Sequence, residues 1–210
     1  GKGKGERGKG RVRYIIKVWF LITGMIMTNA ISIPDSARLC YRLMDQNDGD
    51  LLFDLDQDPE GMRYLNDGKP TSRQEIDEYF LPRIARFTDL ATGCGLWEIA
   101  DKQSGKYLGW ILVRHYGFET HYHTPDNIEF GWRLYRDYWG QGITTEAASA
   151  IIDVLRPHPC IALFSAQSDP ENLGSIGVMK KLGMQYIDDR VHHTPKQEYP
   201  VVYYEMPARD

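Results

Sequence analysis

Cysteine is scarce in this chain and poorly placed for chemistry. Cys40, Cys94 and Cys160 are far apart, odd in number and outside any CxxC or Cys–His spacing, which speaks against a disulfide framework or a zinc ribbon and fits a reduced, cytoplasmic protein. Residues 28–210 contain no repeat and no Pro- or Gly-rich linker, so one domain is expected there. The apolar run "YIIKVWFLITGMIM" has 14 residues and is interrupted by Lys17, short of the roughly 20 that a membrane helix needs. A membrane partner is not expected.

Charge is unevenly spread. The whole chain carries −4, but the basic, glycine-rich arm "GKGKGERGKGRVR" and the run after it contribute +6, so residues 28–210 carry −10. An acidic body argues against nucleic acid as a partner and is compatible with a cationic substrate such as an amine. Residues 1–27 read as a non-native or upstream leader, a membrane-associated arm or an export signal. The unpaired cysteines lean against the last of these.

The body alternates between two periods. "SARLCYRL" reads as a strand. "NDGDLLFDLDQDPEGMRYL" reads as a capped helix broken near Pro59–Gly61, and "TSRQEIDEYFLPRIARF" as a second helix capped by Thr71 or Ser72 and kinked at Pro82. "LWEIAD" and "YLGWILVRHYG" form a hairpin. In "IEFGWRLY", Ile128, Phe130, Trp132 and Leu134 share one face, and Glu129, Gly131, Arg133 and Tyr135 the other. The helix "TTEAASAIIDVL", the strand "CIALFSAQ", the helix "PENLGSIGVMKKLGM" and two closing strands complete a β-α-α-β-β-β-α-β-α-β-β order. That is an α+β chain around one mixed sheet.

"YWGQGITTEA" follows the fourth of these strands, "IEFGWRLY", and joins it to a helix through two glycines. A P-loop needs Lys and Ser/Thr after its last glycine, but Gly142 is followed by Ile143 and Thr144. A dinucleotide fingerprint needs a third glycine, where Thr145 stands, and an acid about 20 residues on, where Cys160 and Ile161 stand. What remains is a loop whose N–H groups, from Trp139 to Thr144, cradle an anion beside a helix N-terminus, or else a plain turn with Thr144 as cap. Gly174 and Gly177, three apart on one helix face, suit the close approach of another group or close helix–sheet packing. Asn172 and Ser175 offer an amide and a hydroxyl nearby.

These residues resemble the GNAT superfamily of acetyl-coenzyme A-dependent N-acetyltransferases, and within it the ribosomal-protein-alanine N-acetyltransferase (RimJ/RimL) branch. "EFGWRLYRDYWGQGITTEA" is similar to that branch's strand–loop–helix with W-G-x-G and T-E-A, and "NLGSIGVMKKLGM" to its N-x-x-S-x-x-V-x-x-K-L-G-F helix. The resemblance implies a splayed, mostly antiparallel sheet flanked by helices. It implies acetyl-CoA as cosubstrate, held by Trp132, Arg133, Leu134, Trp139, Gly140, Gln141, Gly142, Ile143, Thr144 and Asn172, and a primary amine as acceptor, either a protein N-terminus or a small molecule. A weak acyl-CoA sensor of the same fold is the alternative, and a homodimer stays open. Two departures stand out: Asp137 replaces the Gln or Arg that often opens the loop, and Met179 replaces a frequent Tyr acid. Ser175 is therefore taken as the acid and Glu129 as the base. His121 and His123 lack a third ligand, so no metal is expected; they, His192–His193 and Tyr203–Tyr204 are further substrate candidates.

Overall fold

The computed structural model describes residues 30–193 and 198–209; the expected leader, residues 1–27, lies outside them. Seven strands, β1 (Leu39–Leu43), β2 (Gly95–Asp101), β3 (Tyr107–Tyr116), β4 (Thr124–Leu134), β5 (Leu163–Ser168), β6 (Gln185–His193) and β7 (Glu198–Pro207), make one sheet in the order β1-β2-β3-β4-β5-β7-β6. The β4–β5 pair is parallel and the others are antiparallel. The α+β reading and the element order hold.

Among the described residues four helices cover the sheet: α1 (Gly49–Leu55), α2 (73–87), α3 (Ile143–Leu155) and α4 (Leu173–Lys181). Strand alternation feeds two cores. Ile99, Ile111, Val113, Ile128, Phe130 and Phe164 pack with Ala147, Ala148, Ile151, Ile152 and Leu155 of α3. Leu96 packs with Leu52, Ile76, Ile84 and Phe87 of α1 and α2. Both faces are thus apolar, which is why the central strands carry so few exposed polar residues.

The helix caps differ from expectation in instructive ways. Asp48 makes no side-chain cap for α1; its carboxylate is taken by Arg42 (2.8 and 3.0 Å) and by the Asp45 N–H (2.7 Å). Ser72 caps α2 through a capping box with Glu75. The irregularity of α2 lies in a π-turn, Ile76–Phe80, ahead of Pro82, where the ladder widens by one residue. Ser72→Ala is expected to cost about 1 kcal/mol, read as a lower denaturant midpoint at unchanged slope.

Candidate functional site

The sheet opens in its middle. β4 and β5 pair from Asn127↔Leu163 to Phe130↔Ala166, after which β4 stays with β3 as far as Leu134, while β5 stays with β7 as far as Ser168. The Tyr135 N–H donates to Leu108 (3.0 Å), so by alternation Arg133 also faces β3, and the N–H groups of Trp132 and Leu134 face the gap. Backbone donors on a free strand edge can pair with an extended ligand.

At the mouth of this gap stands the Gly140–Gly142 loop. Gly142 is the N-cap of α3 with φ 75°, and Gly140 has φ 72°; both lie in the left-handed region that favours glycine. A Cβ built on Gly140 would meet nothing within 4 Å, so the loop faces open space. The helix begins at Ile143, and Gly142 takes the capping place expected for Thr144. The first intrahelical bond runs from Glu146 N–H to Gly142 (3.0 Å), leaving the amides of Ile143, Thr144 and Thr145 without a helical acceptor, as at any helix start. The Trp139 amide is withdrawn from the expected cradle, because it donates to Arg136 (3.0 Å). The Trp139 indole, 46% exposed, donates to the Leu134 carbonyl (3.0 Å) and walls the loop.

The second glycine face is also open. Gly177 has nothing within 4 Å of a built Cβ, and Gly174 only Asn172 Oδ1 at 3.6 Å, so close helix–sheet packing is not what these glycines serve. Asn172 is the N-cap of α4, its Oδ1 accepting from the Ser175 N–H (3.1 Å). Ser175 Oγ accepts from the Trp132 indole (3.2 Å), which brings the expected acid to the expected strand. Met179 is fully buried. The Arg133 side chain lies on the face opposite Trp132, as the alternation implies, donating to the Leu55 carbonyl (2.8 Å) beside Asp56 (3.4 Å), so any part it has at the gap belongs to its backbone. The Gln141 side chain donates to the Asp137 carbonyl (2.7 Å), and Ile143 is buried.

A small polar recess opens on the α2 side, lined by Arg83, Arg114, Glu129, Gln167, His192 and His193 together with aromatic and loop residues of 116–122. Glu129 is 4% exposed and both its oxygens are engaged: Oε2 by Arg114 Nε (2.8 Å), Oε1 by Gln167 Nε2 (2.9 Å). The expected base is therefore half of a buried ion pair and part of a relay, since Gln167 Nε2 also lies 2.8 Å from His192 Nδ1. A carboxylate only accepts, which fixes the amide orientation, so Nδ1 accepts from Gln167 and the proton sits on Nε2. Burial pushes the His192 imidazole below its ordinary value, with Arg114, Arg83 and His193 acting in the same sense against Glu129.

Stability should follow this. The unfolded chain takes up a proton at His192 near pH 6.5 where the folded one does not, so the fold loses stability as pH falls from about 6.5 toward the lower folded value. His192→Gln is expected to flatten that slope in denaturation series between pH 5 and 7.5, leaving the share of His115, which burial lowers likewise.

Arg114 and Gln167 were not singled out in the sequence. Arg114 had one signal, a lone charge within "WILVRHY", and it faces Glu129 directly in the β3–β4 register. Of the other candidates, Tyr203 is buried and accepts from Asn127 (2.8 Å), and His123 stacks edge-on against His115. Among the described residues no three His, Cys, Asp or Glu come together as a metal site, and no helix is long and apolar enough to cross a membrane.

Comparison with known proteins agrees with this fold. The chain is 29% identical over 150 residues to YkkB, an uncharacterized protein of Bacillus subtilis (strain 168), across 71% of this chain and 83% of that one. The RimL ribosomal L7/L12 alpha-N-protein acetyltransferase in complex with coenzyme A superposes with a TM-score of 0.64 at 15% identity, over 83% of this chain and 97% of its own. The aminoglycoside acetyltransferase AAC(6')-Ib with coenzyme A gives 0.63 at 17% identity, over 80% and 94%. At such identities the likeness is one of fold. The profile of the acetyltransferase (GNAT) domain matches residues 38–185, well over half of the sequence, and the chain belongs to that family.

Proposed function

We propose that the protein transfers the acetyl group of acetyl-CoA to a primary amine by direct attack in a ternary complex. The observation that carries this is the pairing of a free β4 edge, Gly131–Leu134, with the open glycine loop at the start of α3. The loop suits a pyrophosphate held by backbone N–H groups without metal, and the edge suits the amide-bearing pantetheine arm. The two motifs fit the ribosomal-protein-alanine N-acetyltransferase branch best. A compartment that keeps Cys40, Cys94 and Cys160 as free thiols, such as the cytoplasm, is consistent with this reading.

The chain's own groups divide the chemistry. The acceptor amine enters the recess and reacts as the neutral form, since only a nitrogen with a free lone pair can attack. Its nitrogen attacks the thioester carbonyl carbon; the C–N bond forms, and the N–H of Trp132 stabilises the developing oxyanion. Glu129 receives the amine's proton through a water that replaces its Gln167 hydrogen bond. The C–S bond then breaks and the thiolate takes the proton of Ser175, whose oxygen is already held by the Trp132 indole; water reprotonates Ser175 as Glu129 gives up the amine's proton to solvent. Asn172 retains its Nδ2 group for the pantetheine amides.

Release of free thiol from acetyl-CoA, measured across a panel of short peptides, amino acids, polyamines and aminoglycosides, tests the reaction. Thermal shift with acetyl-CoA runs beside it. Turnover with any amine supports the proposal; stabilisation without turnover favours the acyl-CoA sensor; no stabilisation overturns both.

A further inference from the structure

The first turn of α3 contains a carboxylate, Glu146, next to the loop assigned to a pyrophosphate. Like charges this close repel within a Debye length of about 8–10 Å, so its presence needs an explanation. Glu146 Oε1 accepts from Ser36 Oγ (2.6 Å) and the Arg38 N–H (2.8 Å), and Oε2 accepts from Arg38 Nε (2.7 Å). Burial pushes the Glu146 carboxyl up, but the Ser36 and Arg38 hydrogen bonds outweigh it and hold the group below the usual carboxylate range. Behind them, the Tyr41 hydroxyl donates to Ser36 Oγ (2.8 Å), and burial pushes this phenol up to about 12. Both oxygens of Glu146 are therefore bound on the β1 side of the helix.

The same guanidinium touches the loop. Arg38 Nη1 donates to the Gln141 carbonyl (3.1 Å), and Nη2 lies 3.8 Å from a Cβ built on Gly142. The Gln141 carbonyl and the Gly142 N–H belong to one planar trans peptide and point in opposite directions. Holding the carbonyl toward Arg38 turns the N–H away from it.

We propose that Arg38 is the positioning residue of the cofactor loop, neutralising Glu146 and aiming the Gly142 N–H at the pyrophosphate. The proposal rests on the coenzyme A reading above. Arg38 comes from the segment leading into β1, 103 residues from Gln141 and 108 from Glu146, and it serves the donor site without lying in either glycine motif. Its fork is what the task requires, since one planar group must meet a carboxylate and a carbonyl at once.

Calorimetric titration of the full chain with acetyl-CoA, and with S-acetylpantetheine, which lacks the pyrophosphate, tests this. Arg38→Met is expected to weaken acetyl-CoA at least tenfold and to reduce the preference for acetyl-CoA over S-acetylpantetheine by a similar factor. Arg38→Lys, with charge but no fork, should fall between wild type and Arg38→Met. Adding Glu146→Gln to Arg38→Met should recover only the part of the affinity lost to the exposed charge and leave the part lost with the aim of the Gly142 N–H, so full recovery would overturn the positioning role. Arg38→Met binding acetyl-CoA within twofold of wild type, or losing both ligands equally, would overturn the proposal while leaving the coenzyme A reading intact. A wild-type protein that binds neither would remove that reading itself.

Discussion

Gly140→Val is expected to weaken acetyl-CoA binding at least a hundredfold while leaving the fold standing. Gly140 sits at φ 72° with open space around a built Cβ, so the added Cβ meets no protein atom, and the folded chain bears mainly the left-handed backbone cost of about 1–2 kcal/mol. For a protein of this size that lowers the melting temperature by only a few degrees, at roughly 2–4 °C per kcal/mol. The loop loses more. Relaxing φ re-aims the neighbouring amides, and the valine methyls occupy the space the pyrophosphate would need. Saturating acetyl-CoA at about 100 times its Kd stabilises a binding-competent protein by about 2.7 kcal/mol; in Gly140→Val that ligand-induced rise in melting temperature should vanish. A variant that melts near wild type and still rises with acetyl-CoA would remove the loop from the donor site.

Arg114→Met carries the largest expected loss of stability. Arg114 and Glu129 are 7% and 4% exposed and pair at 2.8 Å, and removing one partner of a buried pair leaves an uncompensated charge, at a cost of about 3–5 kcal/mol. At 2–4 °C per kcal/mol the melting temperature should drop by roughly 6–20 °C. Arg114→Met with Glu129→Leu should be much closer to wild type than the single variant, because the stranded carboxylate goes too. The double variant is also expected to lose turnover, since the recess then lacks its proton acceptor. A single variant costing under about 1 kcal/mol would mean that Glu129 finds another partner or is not charged in the fold.

What sequence could reveal follows from the range of each interaction. Alternation in Ile128–Tyr135 identified the two faces of β4, and the structure puts Ile128, Phe130 and Leu134 in one core and turns Glu129 and Arg133 the other way. The glycines at 140 and 142 announced a special turn because positive φ leaves a mark on residue type. The partners of Arg133 were not legible in the same way, because its guanidinium answers to Asp56 and Leu55, 77 and 78 positions away. Gln167 was silent for a related reason. An amide that donates to Glu129 and His192 at once is defined by partners 38 and 25 residues distant, and nothing in "LFSAQSD" sets it apart from any polar strand end.

The splay between β4 and β5 also bears on whether a strand from another chain can add to the sheet there. Its unpaired stretch is an edge, and edges with free N–H and C=O groups invite strand addition from neighbouring chains. Here the edge lies inside the sheet and spans only Gly131–Leu134, shorter than the mean strand of about 5–6 residues, and the Leu134 carbonyl is already occupied by Trp139. An intruding strand would find too few hydrogen bonds to hold, whereas a slender ligand with one or two amides needs no more than that.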